Sequence, residues 1–428
     1  MLNLSKFLEE PTFEAEERLQ ERLLVNKVIL VAGKRSYATT PGCSASNVLP
    51  TDLVHEKFDK INWSQYDKTE LSFYPQIGRE LSTRESIARF VNKFCFKNQL
   101  DHIVTPDSLV VVPGLTSAND LVAQVIFDEG DAMITPAPYY YRYLNDFADR
   151  GLIHIIGVPT IFGESTTPTL NVEVFEEKLQ ETQKQGINVK ALLLVNPTNP
   201  EGGYYTRNEL KPIVEWAVKH DLFIVLDEIF DLTIYDPLPN EPYQSVLLLI
   251  KELEFSYNKV IWLWGLTKNF SLPGLRVGVI HTTNEDVRNC IKRFLMNKHP
   301  NSPTQFLVRS LLDDHAWVKK FISENHRRLK EARENVLDIL DKYQIPYIFP
   351  RAAFFVMLNL SKFLEEPTFE AEERLQERLL ANKVILVAGK RSYATTPGWF
   401  RLVFCYGHRE EVEEGLKRIV RTLGLDDE

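Results

Sequence analysis

Seven short apolar runs, separated by stretches of helical periodicity, constrain this 428-residue chain more than any other feature. They read SLVVVP (108–113), DAMITP (131–136), LIHIIGVP (152–159), ALLLVNP (191–197), LFIVLDE (222–228), VIWLWG (260–265) and RVGVIHT (276–282). Several lack the apolar–polar alternation of a half-exposed strand, so both of their faces must be covered. That is the pattern of a mostly parallel sheet with helices on either side. Helical patterns such as TSANDLVAQVIFDE and RNELKPIVEWAVKH lie between the runs, so the expected class is α/β.

After residue 283 the pattern changes to long charged amphipathic stretches, followed by the apolar run AFFVMLNL. TFEAEERLQERLL then reads as a helix with Thr368 as its N-cap, glutamates in its first turn, and Ala371, Leu375 and Leu379 facing a core. KVILVAG and WFRLVFC complete a smaller α/β domain. The expected divisions are 43–77 as an N-terminal part of the small domain, 78–282 as the large domain, and 283–428 as the small C-terminal domain.

Met1–Gly42 recurs at Met357–Gly398 with one change, Val25 against Ala381. Only the second copy runs on into WFRLVFC. By the family resemblance given below, the first, residues 1–42, is expected to stand outside the core, and the chain is expected to fold without it.

Bulk properties narrow the classes. A net charge of −9 with no basic block argues against nucleic acid as a partner. No run of eighteen apolar residues exists, which argues against a membrane span, and the acidic amphipathic start does not read as a leader. Cys43, Cys95, Cys290 and Cys405 form no CxxC pair and read as reduced thiols of a cytoplasmic protein; no metal site is read. VAGKRS has Arg after its Lys and lacks the upstream glycine of a P-loop.

Three polar residues follow three of the apolar runs: Asn199, Asp227 and Lys268. In an open parallel sheet such positions share one edge, where ligands bind. An aromatic phosphorylated aldehyde would satisfy all three, since the lysine amine can form a Schiff base and the aspartate can hold a pyridinium nitrogen. A phosphate site is legible in VVVPGLTSANDL, where Leu115, Thr116 and Ser117 open a helix after a glycine turn. Thr267 and Arg276 flank the lysine, and the arginine can return to the same phosphate.

NPTNPEGG, VLDEIFD, GLTKNFSLPGLRVG and PGWFRLVF together resemble the class I/II aminotransferase family, pyridoxal 5'-phosphate enzymes of fold type I. TPAPYYYRY, EEPTFEAE and PGWFR bring the likeness closest to 1-aminocyclopropane-1-carboxylate synthase and its synthase-like relatives. The resemblance covers Gly42 to the C-terminus. It implies Lys268 as the Schiff-base lysine and proton carrier, Asp227 on the pyridine nitrogen, and Asn199 on the phenolic oxygen. It further implies Tyr140 against the ring, Arg401 on the substrate carboxylate, and Tyr74 reaching a partner subunit's phosphate. A homodimer with shared sites follows from that last role.

Three departures qualify the resemblance. Phe230 stands where the family has a tyrosine that donates to the phenolic oxygen. Gly265 stands where a serine touches phosphate. In the synthases a glutamate precedes an asparagine that matches Asn47 here, a substrate-side position. This chain has Ser46 before Asn47, and a neutral serine cannot hold a sulfonium substrate. The leading expectation is therefore an aminotransferase taking a small amino acid to its keto acid. Its rivals are the cyclopropane-forming synthase or a carbon–sulfur lyase, and a cofactor-binding protein with little catalysis.

Overall fold

The computed structural model describes residues 46–72, 81–163, 165–295 and 298–425. The first copy of the repeat, Cys43 and Tyr74 lie outside the described residues.

All seven apolar runs form strands of one sheet. They are β1 (Leu109–Val112), β2 (Ala132–Ala137), β3 (His154–Pro159), β4 (Val189–Val195), β5 (Phe223–Asp227), β6 (Val260–Gly265) and β7 (Gly278–His281). Their spatial order is β1-β7-β6-β5-β4-β2-β3. β7 runs antiparallel to β1 and β6, and every other pairing is parallel. The missing alternation has a direct cause. Leu193, Val225, Ile261 and Leu263 belong to one buried apolar cluster, whereas Leu192, Leu194, Leu226, Trp262 and Trp264 belong to another. Both faces are covered, so both sets of alternate positions are mainly apolar.

The smaller sheet holds β8 (Tyr347–Ile348), β9 (Phe355–Asn359), β10 (Val387–Ala388) and β11 (Trp399–Val403) in the order β10-β11-β9-β8, all antiparallel. KVILVAG yields only a two-residue strand, because Val384 N–H is taken by the Leu379 carbonyl at the end of the preceding helix. That helix, Phe369–Ala381, matches its sequence reading. The Thr368 hydroxyl accepts from Ala371 N–H at 3.2 Å, and Ala371, Leu375 and Leu379 are buried.

The helix His315–Lys342 ties the two sheets together. Val318 and Phe321 near its start join the apolar cluster of Trp264 and Phe270, while Leu329, Val336 and Leu340 join that of Val356 and Phe400. Residues just after β7 pack on the large-sheet side: Glu285–Leu295 lies on the helix Leu115–Ile126, and Ser302–Leu312 lies on Leu81–Phe94. The described N-terminal stretch meets both sides: Val54 joins the cluster of Trp264 and Tyr66 packs on Phe306, while its first residues are fastened to the small-sheet side. Val48 N–H donates to the Cys405 carbonyl at 3.0 Å, and Arg328 grips Asp52. No described helix is long and apolar enough to cross a membrane.

Candidate functional site

Parallel registry lines up the chemistry. Val195 pairs with Asp227 and Asp227 with Leu263, so the C-terminal ends of β4, β5 and β6 lie level. Asn199 follows β4 by four residues, Asp227 ends β5, and Lys268 sits on the short helix Leu266–Asn269 that leaves β6.

Asp227 is buried at the strand end. The Tyr143 hydroxyl donates to its Oδ2 at 2.6 Å, and the Ile229 N–H donates to Oδ1 at 3.2 Å. Burial pushes its carboxyl up to about 6, and those two donors act against the rise. Tyr140 stands edge-on to Tyr143, with centroids 5.3 Å apart and planes at 89°. Tyr143 was missed in the sequence reading. Its signal was weak, one more tyrosine in PYYYRY, but it follows Tyr140 by three residues in the segment just beyond β2.

Lys268 keeps some accessible surface, yet protein atoms crowd its amine. That burial, followed by the positive charge of Arg401, brings its pKa down from 10.5 to about 8; Cys405 and Asp227 oppose the shift. Its Nζ lies 6.0 Å from the centre of the Phe354 ring. Phe354 and Phe355 both meet Phe230 edge to face, at 5.3 and 5.6 Å. Phe230 is thus buried among rings, and its position carries no hydroxyl.

Arg401 projects from β11, which pairs with β9 and β10 on either side. It is 2% exposed, so it is no surface ion pair. Its Nη1 donates to Asn199 Oδ1 at 2.9 Å, and its guanidinium lies 5.1 Å from the Phe355 ring centre. This bond joins the small sheet to the end of β4.

The anion cradle takes shape around Gly114, the N-cap of the helix Leu115–Ile126, with φ +88°. A Cβ at Gly114 would lie 2.6 Å from Arg276 Nη2, so the guanidinium presses against the glycine at the positive end of that helix. Leu115 is buried there, and its Cδ1 would lie 3.0 Å from a Cβ at Gly265. That same Cβ would approach the Val277 carbonyl to 2.9 Å, so the glycine in place of serine has a packing reason. The Thr116 hydroxyl donates to Asp146 Oδ2 at 3.3 Å, and Ser117 Oγ donates to the Pro113 carbonyl at 3.4 Å. Burial raises the carboxyl of Asp146, which also takes Asn119 Nδ2 at 3.3 Å. Thr267 lies beside Lys268 in the short helix, where it is partly buried. Asn47 is engaged within the fold: its Nδ2 donates to Asn325 Oδ1 at 2.8 Å, and its Oδ1 accepts from Leu49 N–H at 3.1 Å.

These residues fit pyridoxal phosphate. They offer a buried carboxylate for a pyridine nitrogen, an amine of lowered pKa for an aldehyde, and a glycine-capped helix start with an arginine against it for a phosphate.

Comparison with known proteins agrees. Residues 45–419 match the family model described as aminotransferase class I and II. The bovine (Bos taurus) 1-aminocyclopropane-1-carboxylate synthase-like protein 1 is 32% identical over 385 residues, covering 89% of this chain and 75% of that protein. A mouse (Mus musculus) protein named probable inactive 1-aminocyclopropane-1-carboxylate synthase-like protein 2 is 31% identical over 373 residues, covering 85% of this chain and 62% of that protein. Among solved structures, the multiple substrate aminotransferase of Thermococcus profundus superposes with a TM-score of 0.77 at 22% identity, over 99% of this chain and 98% of that one. A Thermus thermophilus aspartate aminotransferase double mutant gives 0.76 at 20% identity, over 99% and 100% of the two chains. The fold is therefore fold type I, and the chain belongs to the class I and II aminotransferase family of pyridoxal-phosphate-dependent enzymes.

Proposed function

We propose that the protein binds pyridoxal 5'-phosphate and transfers the α-amino group of an amino acid, releasing a keto acid. The observation that carries this reading is the convergence of Lys268, just beyond β6, with the buried Asp227 at the level end of β5 and with Arg401 bonded to Asn199 beyond β4, burial there lowering the lysine amine to about 8. A structural lysine has no need of that environment. A lysine that must be neutral to attack a carbonyl and to accept a proton does.

Asp227 would hold the ring nitrogen, Asn199 would face the phenolic oxygen, and Tyr140 would lie against the ring. Gly114, Leu115, Thr116, Ser117, Thr267 and Arg276 would surround the phosphate. The bound cofactor supplies an electron sink that acidifies the substrate's α-hydrogen. Arg401 would receive the substrate carboxylate as a two-pronged donor, exchanging its present bond to Asn199 for one to substrate. Lys268 Nζ would take the α-proton and return it. The Phe354 ring beside the amine, packed with Phe230 and Phe355, would keep water from that side. Asn47 remains a candidate for the substrate side through its place on the segment that meets Cys405.

A homodimer is part of the proposal. Trp63, Leu71 and Leu81 are exposed, at 48%, 63% and 44%, on either side of the stretch that contains Tyr74. The free thiols Cys95, Cys290 and Cys405 suit a reducing cytoplasmic compartment.

A second reading has its own support. Phe230 brings no hydroxyl to the site, and one similar mouse protein is named probable inactive. A cofactor-binding protein with weak catalysis would look like this. The purified protein, loaded with pyridoxal phosphate, should be mixed with a panel of amino acids while its visible spectrum and keto-acid release are followed. Spectral conversion with keto acid supports transamination. Methylthioadenosine released from S-adenosylmethionine would support the synthase reaction, and an unchanged spectrum across the panel would leave the weak-catalysis reading standing.

A further inference from the structure

Glu372 is fully buried, and its bonding explains why. Its Oε1 accepts from the Lys390 N–H at 2.8 Å and its Oε2 accepts from the Gly398 N–H at 2.6 Å. One carboxylate thereby closes both ends of the loop 390–398. The nearby cation is turned elsewhere: Lys390 Nζ pairs with Glu373 at 2.7 Å.

The loop between those ends touches both halves of the site. Ser392 offers its carbonyl to the Tyr139 N–H at 2.8 Å, and the Tyr393 ring stacks on Tyr139 with centroids 4.7 Å apart and planes at 5°. Tyr139 immediately precedes Tyr140. At the far end, Gly398 has φ +100°, and a Cβ there would lie 2.5 Å from Ser361 Cα; its carbonyl accepts from Leu360 N–H at 2.7 Å. Three residues on, Arg401 reaches Asn199. A shift of either loop end therefore moves the stack on one side or the arginine on the other.

We propose that Glu372 is a positioning residue: by clamping the Lys390 and Gly398 amides it sets Tyr393 against Tyr139 and holds Arg401 in register to take the substrate carboxylate. An ionised carboxylate is the only side chain of this size with an acceptor for each amide. A glutamine has one acceptor and one donor, and its donor would face an N–H. The second half of the proposal rests on the reading of Arg401 as the carboxylate site; the first half does not.

The test compares wild type, Glu372→Gln and Glu372→Asp in the full chain loaded with pyridoxal phosphate. Amide hydrogen exchange over 390–398 is read beside KM, kcat and cofactor affinity. Glu372→Gln should speed exchange in that loop by about tenfold or more, while the helix Arg207–Lys219 exchanges as before. KM for the amino acid should rise by about tenfold, with kcat changed far less and cofactor affinity unchanged. Glu372→Asp keeps two acceptors and should restore part of both. It also carries the test if the glutamine variant does not fold. Loop exchange unchanged in a folded variant overturns the clamp. Faster exchange with unchanged KM overturns its role toward Arg401. A wild-type chain that turns over no amino acid sinks the functional reading instead, and exchange alone then decides the clamp.

Discussion

Tyr143 shows how much one hydroxyl can do in a dry site. It is a close donor to Asp227, and it opposes the burial that raises that carboxyl to about 6. Tyr143→Phe should push the Asp227 carboxyl higher and weaken cofactor binding by about 1.5–3 kcal/mol, the worth of a hydrogen bond to a charged group. Titration of pyridoxal phosphate against pH checks this, with the loss largest near neutrality, where the carboxylate must be charged. Lys268 sets a second expectation. Its amine is depressed to about 8, so the neutral nucleophile gains population as pH rises and saturates above that value. The rate of covalent cofactor attachment should climb through pH 7–8 and flatten beyond it, far below the value near 10 expected of an exposed lysine. The places of Lys268, Asp227 and Asn199 were legible in the sequence, because each ends or follows an apolar run, and Arg401 was named there through the family resemblance. Tyr143 and Glu372 were not legible. What defines them is a bond to a residue 84 positions away in one case, and to two backbone amides in the other.

At the scale of elements, glycines decide how closely the cradle closes. Gly114 combines positive φ with an arginine against its α-carbon. Gly114→Ala should strain the helix start, displace Arg276, and lower affinity for inorganic phosphate and for the cofactor by about tenfold, with a stability cost of about 1–3 kcal/mol. Gly265→Ser tests the departure from the family. If the packing against Val277 and Leu115 governs that position, introducing serine costs about 1–2 kcal/mol, lowers Tm by about 1–2 °C in a chain of this size, and improves no binding. The strands were readable for the same reason that the sheet is stable: β1, β2, β6 and β7 are buried at every position, β4 and β5 at all but one, and only β3, at the sheet's edge, is largely half-buried. The strand expected over KVILVAG was mostly lost. Its apolar content matched a strand, but the C-terminal cap of the preceding helix claims the Val384 N–H, a competition that composition does not display.

Across the whole molecule, buried carboxyls dominate the electrostatics. Burial raises Glu201 and Glu228 from 4.5 to about 7 and Asp231 from 3.8 to about 6. A raised folded pKa means that the folded chain holds a proton the unfolded chain has released. The stability each contributes is present below the ordinary carboxyl pKa and is lost as pH rises through the folded value. The cofactor-free protein should therefore lose stability between about pH 4.5 and 7, and Glu201→Gln should flatten that slope by about 1.4 kcal/mol per pH unit. Urea denaturation across that range checks it. Removal of residues 1–42 should leave Tm and cofactor binding unchanged, because the second copy of the same segment already supplies most of β9, the helix Phe369–Ala381 and β10 around the small sheet. The repeat was visible in the sequence, and its second copy lies in the small sheet and continues into the strand bearing Arg401, whereas the first copy lies outside the described residues. How the helix His315–Lys342 shares itself between two cores was not visible, because its apolar stripe reads the same from end to end.

The central claim is that Lys268 is the amine this fold presents to pyridoxal phosphate. Borohydride reduction of the loaded protein, followed by peptide mass mapping, tests it most directly. One pyridoxyl group per chain on the Lys268 peptide, absent from Lys268→Ala, is the result expected. A label spread over surface lysines, or retained in Lys268→Ala, would contradict it.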